Sequence, residues 1–174
     1  MREVFDLLSR IQQRTGLQFM IIGAWALHAH GYSRNTNDVD CMTAVTDDAV
    51  IGQELDRAGF ECFADLPSFR RFRHRLEHCI VLDVMRVDAG TFAKMWTGAT
   101  TFEIEGFTLH APSLGHLIAL KLHAARSEHR TEQDVADVIN LLRSNPGKIS
   151  SVALKEICDQ FGTPQLASRL TEFL

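Results

Sequence analysis

The chain has 174 residues, 45% of them hydrophobic and 23% charged, which is enough apolar material for an ordinary folded core and excludes a disordered segment. The formal net charge of −4 excludes the strongly basic surface of a general nucleic-acid coat protein. The apolar runs are shorter than the roughly 20 residues that cross a bilayer, and the four cysteines form no CxxC pair. We therefore expect no membrane anchor and a reducing, cytoplasmic location.

The N-terminal segment predicts a helix, a strand and a second, short helix. Residues 2–15 carry apolar side chains at helical spacing, and Gly16 is placed to end this helix. Residues 17–23 form an apolar run that predicts a buried strand. The alanine-rich segment 24–31 then predicts a helix that stops at its glycine.

The middle of the chain predicts a strand over 37–45, a helix over 48–58 closed by Gly59, and an extended segment over 60–63. Residues 79–87, CIVLDVMRV, are apolar almost without interruption. A run of this kind is typical of a central strand, because both of its faces are covered.

The last third of the chain changes class. Residues 101–112 contain two short apolar runs around Glu105-Gly106, which predicts a hairpin, and from residue 113 onward the pattern is helical only. We therefore expect an α+β fold, a small mixed β-sheet flanked by helices. Its α/β core covers 1–112, and a C-terminal helical region, 113–174, packs on that core.

Two aspartates stand two positions apart on the predicted strand 37–45. Side chains alternate along a strand, so Asp38 and Asp40 project from the same face. Unit charges about 4 Å apart repel by about 4 kcal/mol at an effective dielectric constant near 20. A bound cation, a shared proton or a basic partner has to offset this repulsion.

A third carboxylate, Asp83, is the one charged residue of IVLDVM. Its position makes sense if its strand lies beside that of Asp38 and Asp40, so that all three ligate a hard ion such as magnesium or manganese. The plain alternative is that Asp38 caps a turn, Asp40 pairs with Arg34, and Asp83 ends a strand.

These residues resemble the signature of the nucleotidyltransferase superfamily, which includes DNA polymerase β and the MNT-type enzymes. That signature is a strand ending in Gly-Gly or Gly-Ser, an Asp-x-Asp pair about nine to thirteen residues later, and a third acid on a later strand. Here Gly23-Ala24 is followed by thirteen residues, Asp38-Val39-Asp40 and then Asp83.

The wider sequence resembles the AbiEii-type toxins most. Their pattern of Lys-Leu-x-Ala, arginine and Asp-x-x-Asp is similar to Lys121-Leu122-His123-Ala124, Arg126 or Arg130, and Asp134 to Asp137. Trp25-Ala26, Gly31, Arg34 and Thr36 ahead of the aspartates extend the likeness, which covers about residues 17–142.

The resemblance implies a metal-dependent enzyme that transfers a nucleoside monophosphate from an NTP to a hydroxyl. Asp38 and Asp40 would hold two Mg²⁺ or Mn²⁺ ions, and Asp83 would ligate the ion nearer the acceptor and assist its deprotonation. Further residues would bind the nucleotide, with the first two facing its phosphates: Gly23, Ala24, Arg34, Thr36, Lys121, Arg126, Arg130 and Asp134. From the residues alone, Lys121 equally fits an ammonium that reaches solvent, and Asp134 and Asp137 fit either partners of Lys121 or surface acids.

The acceptor stays open between RNA such as a tRNA end, a protein hydroxyl, and a small antibiotic. The first two fit a toxin–antitoxin component with an antitoxin partner. Ala24 departs from the usual glycine or serine, removing a hydroxyl donor or adding a methyl, and favours a catalytically reduced module that binds nucleotide or a partner. A structural α+β domain whose acids are neutralised by arginines is the third alternative.

Other clusters of polar residues carry weaker expectations. RRFRHR, residues 70–75, places alternate arginines on one strand face, which fits RNA phosphates or a charged edge strand. His28 and His30 are two apart, which is wrong for one helical face, so we reject a zinc site. Neither Ser33 nor Ser113 has a recognisable nucleophile–base context.

Overall fold

The computed structural model describes residues 1–77, 80–126 and 131–174. The helices are α1 (Arg2–Thr15), α2 (Gly23–His28), α3 (Asp48–Arg57), α4 (Ala89–Thr97), α5 (Leu114–Ala124), α6 (Thr131–Ser144), α7 (Ser151–Phe161) and α8 (Pro164–Thr171). The strands are β1 (Met20–Ile22), β2 (Asp38–Ala44), β3 (Phe60–Asp65), β4 (Phe69–His74), β5 (Val81–Val87), β6 (Thr100–Ile104) and β7 (Phe107–Ala111). A 3₁₀ turn, Val45–Asp47, leads into α3.

The main sheet has five strands in the order β1-β2-β5-β4-β3. The strands β2 and β5 run parallel, whereas the other three pairs are antiparallel. A second sheet consists of β6 and β7. This arrangement confirms the predicted α+β class with a small mixed sheet and a helical C-terminal part.

Several predicted elements are confirmed with close boundaries. The helix predicted over 2–15 is α1, and Gly16 ends it in the left-handed conformation, φ 73°. The central strand predicted over 79–87 is β5, Val81–Val87, and Cys79 lies outside the described residues. The hairpin is formed by β6 and β7, and Glu105 and Gly106 at its tip both have positive φ, as a tight turn between antiparallel strands requires.

Two expectations about strands are wrong. The basic strand β4 is not an edge strand, because it pairs with β3 on one side and with β5 on the other. The first strand is also shorter than predicted, since β1 covers Met20–Ile22 only. Sequence alternation describes the two faces of a strand, but which strands lie beside it depends on pairing between distant segments.

A fully buried layer of side chains lies against one face of the main sheet. Val39 and Cys41 of β2, and Leu82 and Val84 of β5, are all fully buried there. Each of these residues alternates with a side chain that projects from the opposite face. That opposite face, called the open face below, therefore carries Asp38, Asp40 and Asp83.

Contacts divide the chain into two units. Unit 1 comprises Met1–Trp25 and Asn35–Pro112; within it α1 and β1 contact β7, and α4 contacts β2. Unit 2 comprises Ala26–Arg34 and Ser113–Leu174; within it α5 contacts α6 and α7, and α7 contacts α8. In the part of the chain that the structure describes, every helix is too short or too polar to traverse a lipid bilayer.

Candidate metal and active site

Three carboxylates meet on the open face of unit 1. Asp40 of β2 is the register partner of Asp83 of β5, and Asp38 lies two residues before Asp40 on the same face. Ligand oxygens of the three residues all lie within 4.8 Å of one another. Asp83 is the third residue of a seven-residue strand, so it does not end a strand as the plain alternative required. We call these three residues the carboxylate cluster.

The chemistry of the carboxylate cluster fits a hard divalent cation. Its side chains are partly exposed, so an ion can reach them from solvent. They offer only oxygen atoms, the ligands that magnesium and manganese prefer over the nitrogen and sulfur typical of zinc sites. Carboxylate oxygens within 4.8 Å of one another also repel, and a shared cation removes this repulsion.

Gly23 contacts Asp40 directly. It has φ 63°, a conformation that side chains other than glycine rarely adopt. A Cβ atom added to Gly23 would collide with Oδ2 of Asp40 and lie 2.7 Å from its Cγ. Glycine is therefore required here for the close approach of the α2 backbone to a cluster carboxylate. The phosphate-binding role expected for Gly23 stays a prediction, and its contact with Asp40 has no local signal in the sequence.

Two residues of unit 1 hold Asp38. The hydroxyl of Thr36 donates a hydrogen bond to Oδ1 of Asp38. The indole N–H of Trp25 donates to the backbone carbonyl of Asp38 at 2.9 Å, and its ring packs edge-on against Phe5 with centroids 5.1 Å apart. These contacts anchor the start of β2 beside the cluster.

Arg71 of β4 contacts the third carboxylate. Its Nε donates to both oxygens of Asp83, at 2.9 and 3.1 Å. The hydrogen bond to Asp83 raises the pKa of Arg71 above its usual range, and the charges of Asp83, Asp38 and Asp40 raise it further. Sequence reasoning missed this pair. The available signal was the antiparallel hairpin register of 69–74 with 81–87, which places Arg71 opposite Asp83.

The other arginines of RRFRHR are also engaged with acids. Arg70 forms an ion pair with Asp48 at 3.0 Å, and Arg73 forms one with Glu61 at 2.7 Å. Arg75, which follows β4, pairs with Asp56. Carboxylates compensate the charge of each arginine, and binding of RNA phosphates by this segment stays a prediction.

The distal candidates form an ion-pair network inside unit 2. Lys121 is only 4% exposed, and its Nζ lies 3.0 Å from Asp134 and 2.7 Å from Asp137. Arg34 donates its Nε to both oxygens of Asp137, at 3.0 and 3.3 Å. We call these four residues the unit 2 network.

The remaining predicted site residues are placed as follows. Ala24 is the second residue of α2 and is buried. Arg126 follows α5 and is exposed. Arg130 lies outside the described residues. The nucleotide-binding roles assigned to these residues and to the unit 2 network stay predictions.

Cys41 follows Asp40 on β2 but faces the core. Burial raises the pKa of its thiol well above the usual range, and the negative charges of Asp40 and Asp83 raise it further. The thiol therefore stays protonated and points away from the open face, so it is neither a metal ligand nor a nucleophile of this site.

Comparison with known proteins identifies the class of fold. No family model and no curated protein matches the sequence. The arrangement of sheet and helices is the nucleotidyltransferase fold, which confirms the fold expected from the resemblance. Particular closeness to the AbiEii-type toxins stays a prediction.

Three solved structures illustrate this likeness. The lincosamide antibiotic adenylyltransferase LnuA, bound to lincomycin, has a TM-score of 0.59 and 16% identity, covering 80% of this chain and 94% of that chain. ANT(2")-Ia in complex with adenylyl-2"-tobramycin has a TM-score of 0.59 and 14% identity, covering 99% and 95%. An antigenic nucleotidyltransferase-like protein from Paracoccidioides brasiliensis has a TM-score of 0.58 and 16% identity, covering 97% and 91%.

Proposed function

We propose that this protein is a divalent-metal-dependent nucleotidyltransferase, which moves a nucleoside monophosphate from an NTP to a hydroxyl group. The observation that carries the proposal is the carboxylate cluster, with Asp40 and Asp83 in register on neighbouring parallel strands of a nucleotidyltransferase fold. The close approach of Gly23 to Asp40 supports it, since a structural domain has no need to crowd a charged group in this way.

The proposed residues divide the work of an in-line displacement. Two magnesium or manganese ions would supply charge neutralisation for the NTP and activation of the acceptor. Asp38 and Asp40 would hold both ions, and Asp83 would hold the one nearer the acceptor. Asp83 would also assist removal of the acceptor proton by accepting it on a carboxylate oxygen. The acceptor oxygen forms a bond to the α-phosphorus while the bond to the pyrophosphate oxygen breaks, and pyrophosphate leaves.

Two kinds of acceptor have support from different observations. The resemblance to AbiEii-type toxins favours an RNA such as a tRNA end, or a protein hydroxyl, and with it an antitoxin partner. The likeness to LnuA, solved with lincomycin, and to ANT(2")-Ia, solved with adenylyl-2"-tobramycin, favours a small hydroxylated antibiotic. Transfer to either kind of acceptor would use the same carboxylate cluster.

A transfer assay with separate acceptor arms tests the proposal. Each α-³²P-labelled NTP is incubated with the protein and Mg²⁺ or Mn²⁺, together with total tRNA, cell-lysate protein, lincomycin or tobramycin. We expect label in one arm, lost with EDTA and lost in Asp40→Asn. Absence of label in every arm with every NTP and either metal would contradict enzymatic transfer.

A binding module without turnover is the second candidate, and Ala24 is the observation that favours it. Calorimetry with ATP and Mg²⁺ separates the two functions. A binding module binds ATP equally well in the wild type and in Asp38→Asn and forms no product. An enzyme whose activity the alanine limits gains transfer when the hydroxyl is restored in Ala24→Ser.

A further inference from the structure

Arg71 is a basic side chain that contacts one member of the carboxylate cluster, Asp83. It has a second neighbour on its other side, because its guanidinium carbon lies 5.4 Å from the centroid of the Phe63 ring. Phe63 belongs to β3, at the edge of the sheet, and is 43% exposed. Arg71 therefore lies between the carboxylate cluster and an exposed aromatic ring.

This placement follows from the register of four strands. Asp40 pairs with Asp83, Asp83 pairs with Arg71, and Arg71 pairs with Ala64 across β2, β5, β4 and β3. The register of β3 against β4 is irregular between Cys62 and Ala64, which is where Phe63 stands. Such irregularities re-aim a side chain, here toward the arginine.

The contacts of Arg71 conflict with those of a bound ion. Its Nε N–H donates to both oxygens of Asp83, so a metal ligated by Asp83 would draw on oxygens that this hydrogen bond already polarises. A divalent cation on Asp83 would also bring two positive charges together, and they would repel across a few ångströms. Arg71 and the metal therefore compete for one carboxylate.

We propose that Arg71 is an internal counter-ion of the metal site, which holds Asp83 while no ion is bound and yields it to a divalent cation. The released guanidinium then rests on the face of Phe63, where the aromatic quadrupole stabilises a cation. This inference rests on the metal site of the proposed function and adds to it a residue that sets how tightly the metal binds.

The proposal has a consequence for metal affinity. In the absence of an ion, Arg71 lowers the repulsion among the three acids and so stabilises the metal-free fold. The metal has to displace that hydrogen-bonded pair, which weakens its apparent affinity. Removing Arg71 should therefore tighten metal binding while it destabilises the metal-free protein.

Titration of the protein with Mn²⁺ alone, followed by the electron paramagnetic resonance signal of the free ion, tests this competition. We expect Arg71→Gln to bind Mn²⁺ about tenfold more tightly than the wild type, since a hydrogen bond to a charged group is lost from the metal-free state. Arg71→Lys keeps the charge but loses the paired geometry, and should lie between the two.

Arg73→Gln is the matched control. Arg73 lies on the same strand and the same face, also faces Phe63 at 5.5 Å, but pairs with Glu61 instead of a cluster acid. The Arg73→Gln substitution should change the affinity for Mn²⁺ less than twofold. If Arg73→Gln tightens binding as much as Arg71→Gln does, the effect is one of general charge and the proposal is overturned.

Thermal melting gives a readout that does not depend on the titration. In EDTA, Arg71→Gln should have a lower melting temperature than the wild type. Mn²⁺ should raise the melting temperature of Arg71→Gln by more than it raises that of the wild type. Phe63→Leu should weaken Mn²⁺ binding about two- to threefold with Arg71 present and leave it unchanged in the Arg71→Gln background.

The outcomes separate this inference from the proposed function. Mn²⁺ binding that is equal in the wild type and in Arg71→Gln overturns the counter-ion alone. An absence of Mn²⁺ binding to the wild type and to every Arg71 variant overturns the metal site itself, and the proposed function with it.

Discussion

The carboxylate cluster of unit 1 and the ion-pair network of unit 2 contain the same kinds of group but differ in balance. In the cluster, three carboxylates lie together and Arg71 contacts one of them, Asp83, so acids outnumber bases within this group. In the unit 2 network, two carboxylates contact Lys121 and Arg34, so the charges match.

The acids of the two groups also differ in how deeply they are buried. The cluster acids are partly exposed, whereas Asp134 and Asp137 are 1% and 0% exposed. A buried ion pair that is internally matched needs nothing from outside, while an exposed excess of one charge invites a ligand of the other. Imbalance of charge, more than the presence of charged residues, distinguishes a binding site from an internal support.

The largest expected effect concerns the matched network. Lys121→Met leaves Asp134 and Asp137 buried with less compensation, so we expect the free energy of unfolding to fall by about 3–5 kcal/mol. Chemical denaturation measures it. Lys155→Met, at an exposed helical pair with Asp159, is the control and should leave stability nearly unchanged. A network variant as stable as this control would show that the balance in unit 2 does not support the fold.

The second prediction concerns the unmatched cluster. Asp40→Asn should lower nucleotidyl transfer by about 10²–10³-fold, the range for loss of one preorganised electrostatic contact. Because it removes one of three mutually repelling charges, it should not lower the melting temperature in EDTA. The exposed Asp159→Asn is the matched control for both measurements. A large loss of stability in Asp40→Asn would place the cluster in the same structural category as the unit 2 network.

A third prediction separates backbone conformation from crowding of the cluster. Gly23→Ala and Gly16→Ala both place a side chain at positive φ, but only the first meets an obstacle, Asp40. We expect Gly16→Ala to cost about 1 kcal/mol of unfolding free energy and Gly23→Ala about 2–3 kcal/mol. Gly23→Ala should also weaken Mn²⁺ binding, which Gly16→Ala should leave unchanged. Equal effects of the two variants would mean that Asp40 moves aside freely.

The smallest effect is a pH dependence from the core side of β2. The folded state keeps Cys41 protonated, whereas the unfolded chain releases this proton above about pH 8.5. The contribution of Cys41 to the free energy of unfolding is therefore fully present below that pH. It is lost as the pH rises, by up to about 1.4 kcal/mol per pH unit. Denaturation from pH 7 to 10 should show a shallower decline in Cys41→Ala than in the wild type. Parallel declines would contradict the assigned burial of the thiol.

Local patterns in the sequence singled out the acids of the carboxylate cluster, but their meeting depends on the pairing of β2 with β5. The spacing of Asp38 and Asp40 states which face they share, and an acid inside the apolar run IVLDVM has few uses other than a site. The hairpin at Glu105-Gly106 and the helix before Gly16 also depend on short-range signals, and both were predicted.

Contacts between distant segments were beyond the same reasoning. The alternation in RRFRHR gives its faces but not its neighbours, so the interior position of β4 and the contact of Arg71 with Asp83 depend on strand order. The approach of Gly23 to Asp40 likewise depends on the pairing of β1 with β2. The acid that a basic strand residue contacts can be identified only when the opposing strand is known.

The chain enters unit 2 twice. Ala26–Arg34 belongs to unit 2 although both flanking segments belong to unit 1, and this excursion supplies Arg34 to the network. A fragment ending at Pro112 would consequently retain a stretch whose partners have been cut away. A fragment starting at Ser113 would lack the guanidinium that contacts Asp137. Neither half can be expressed alone with its native interior intact, so dissection of this protein calls for point substitutions instead of truncations.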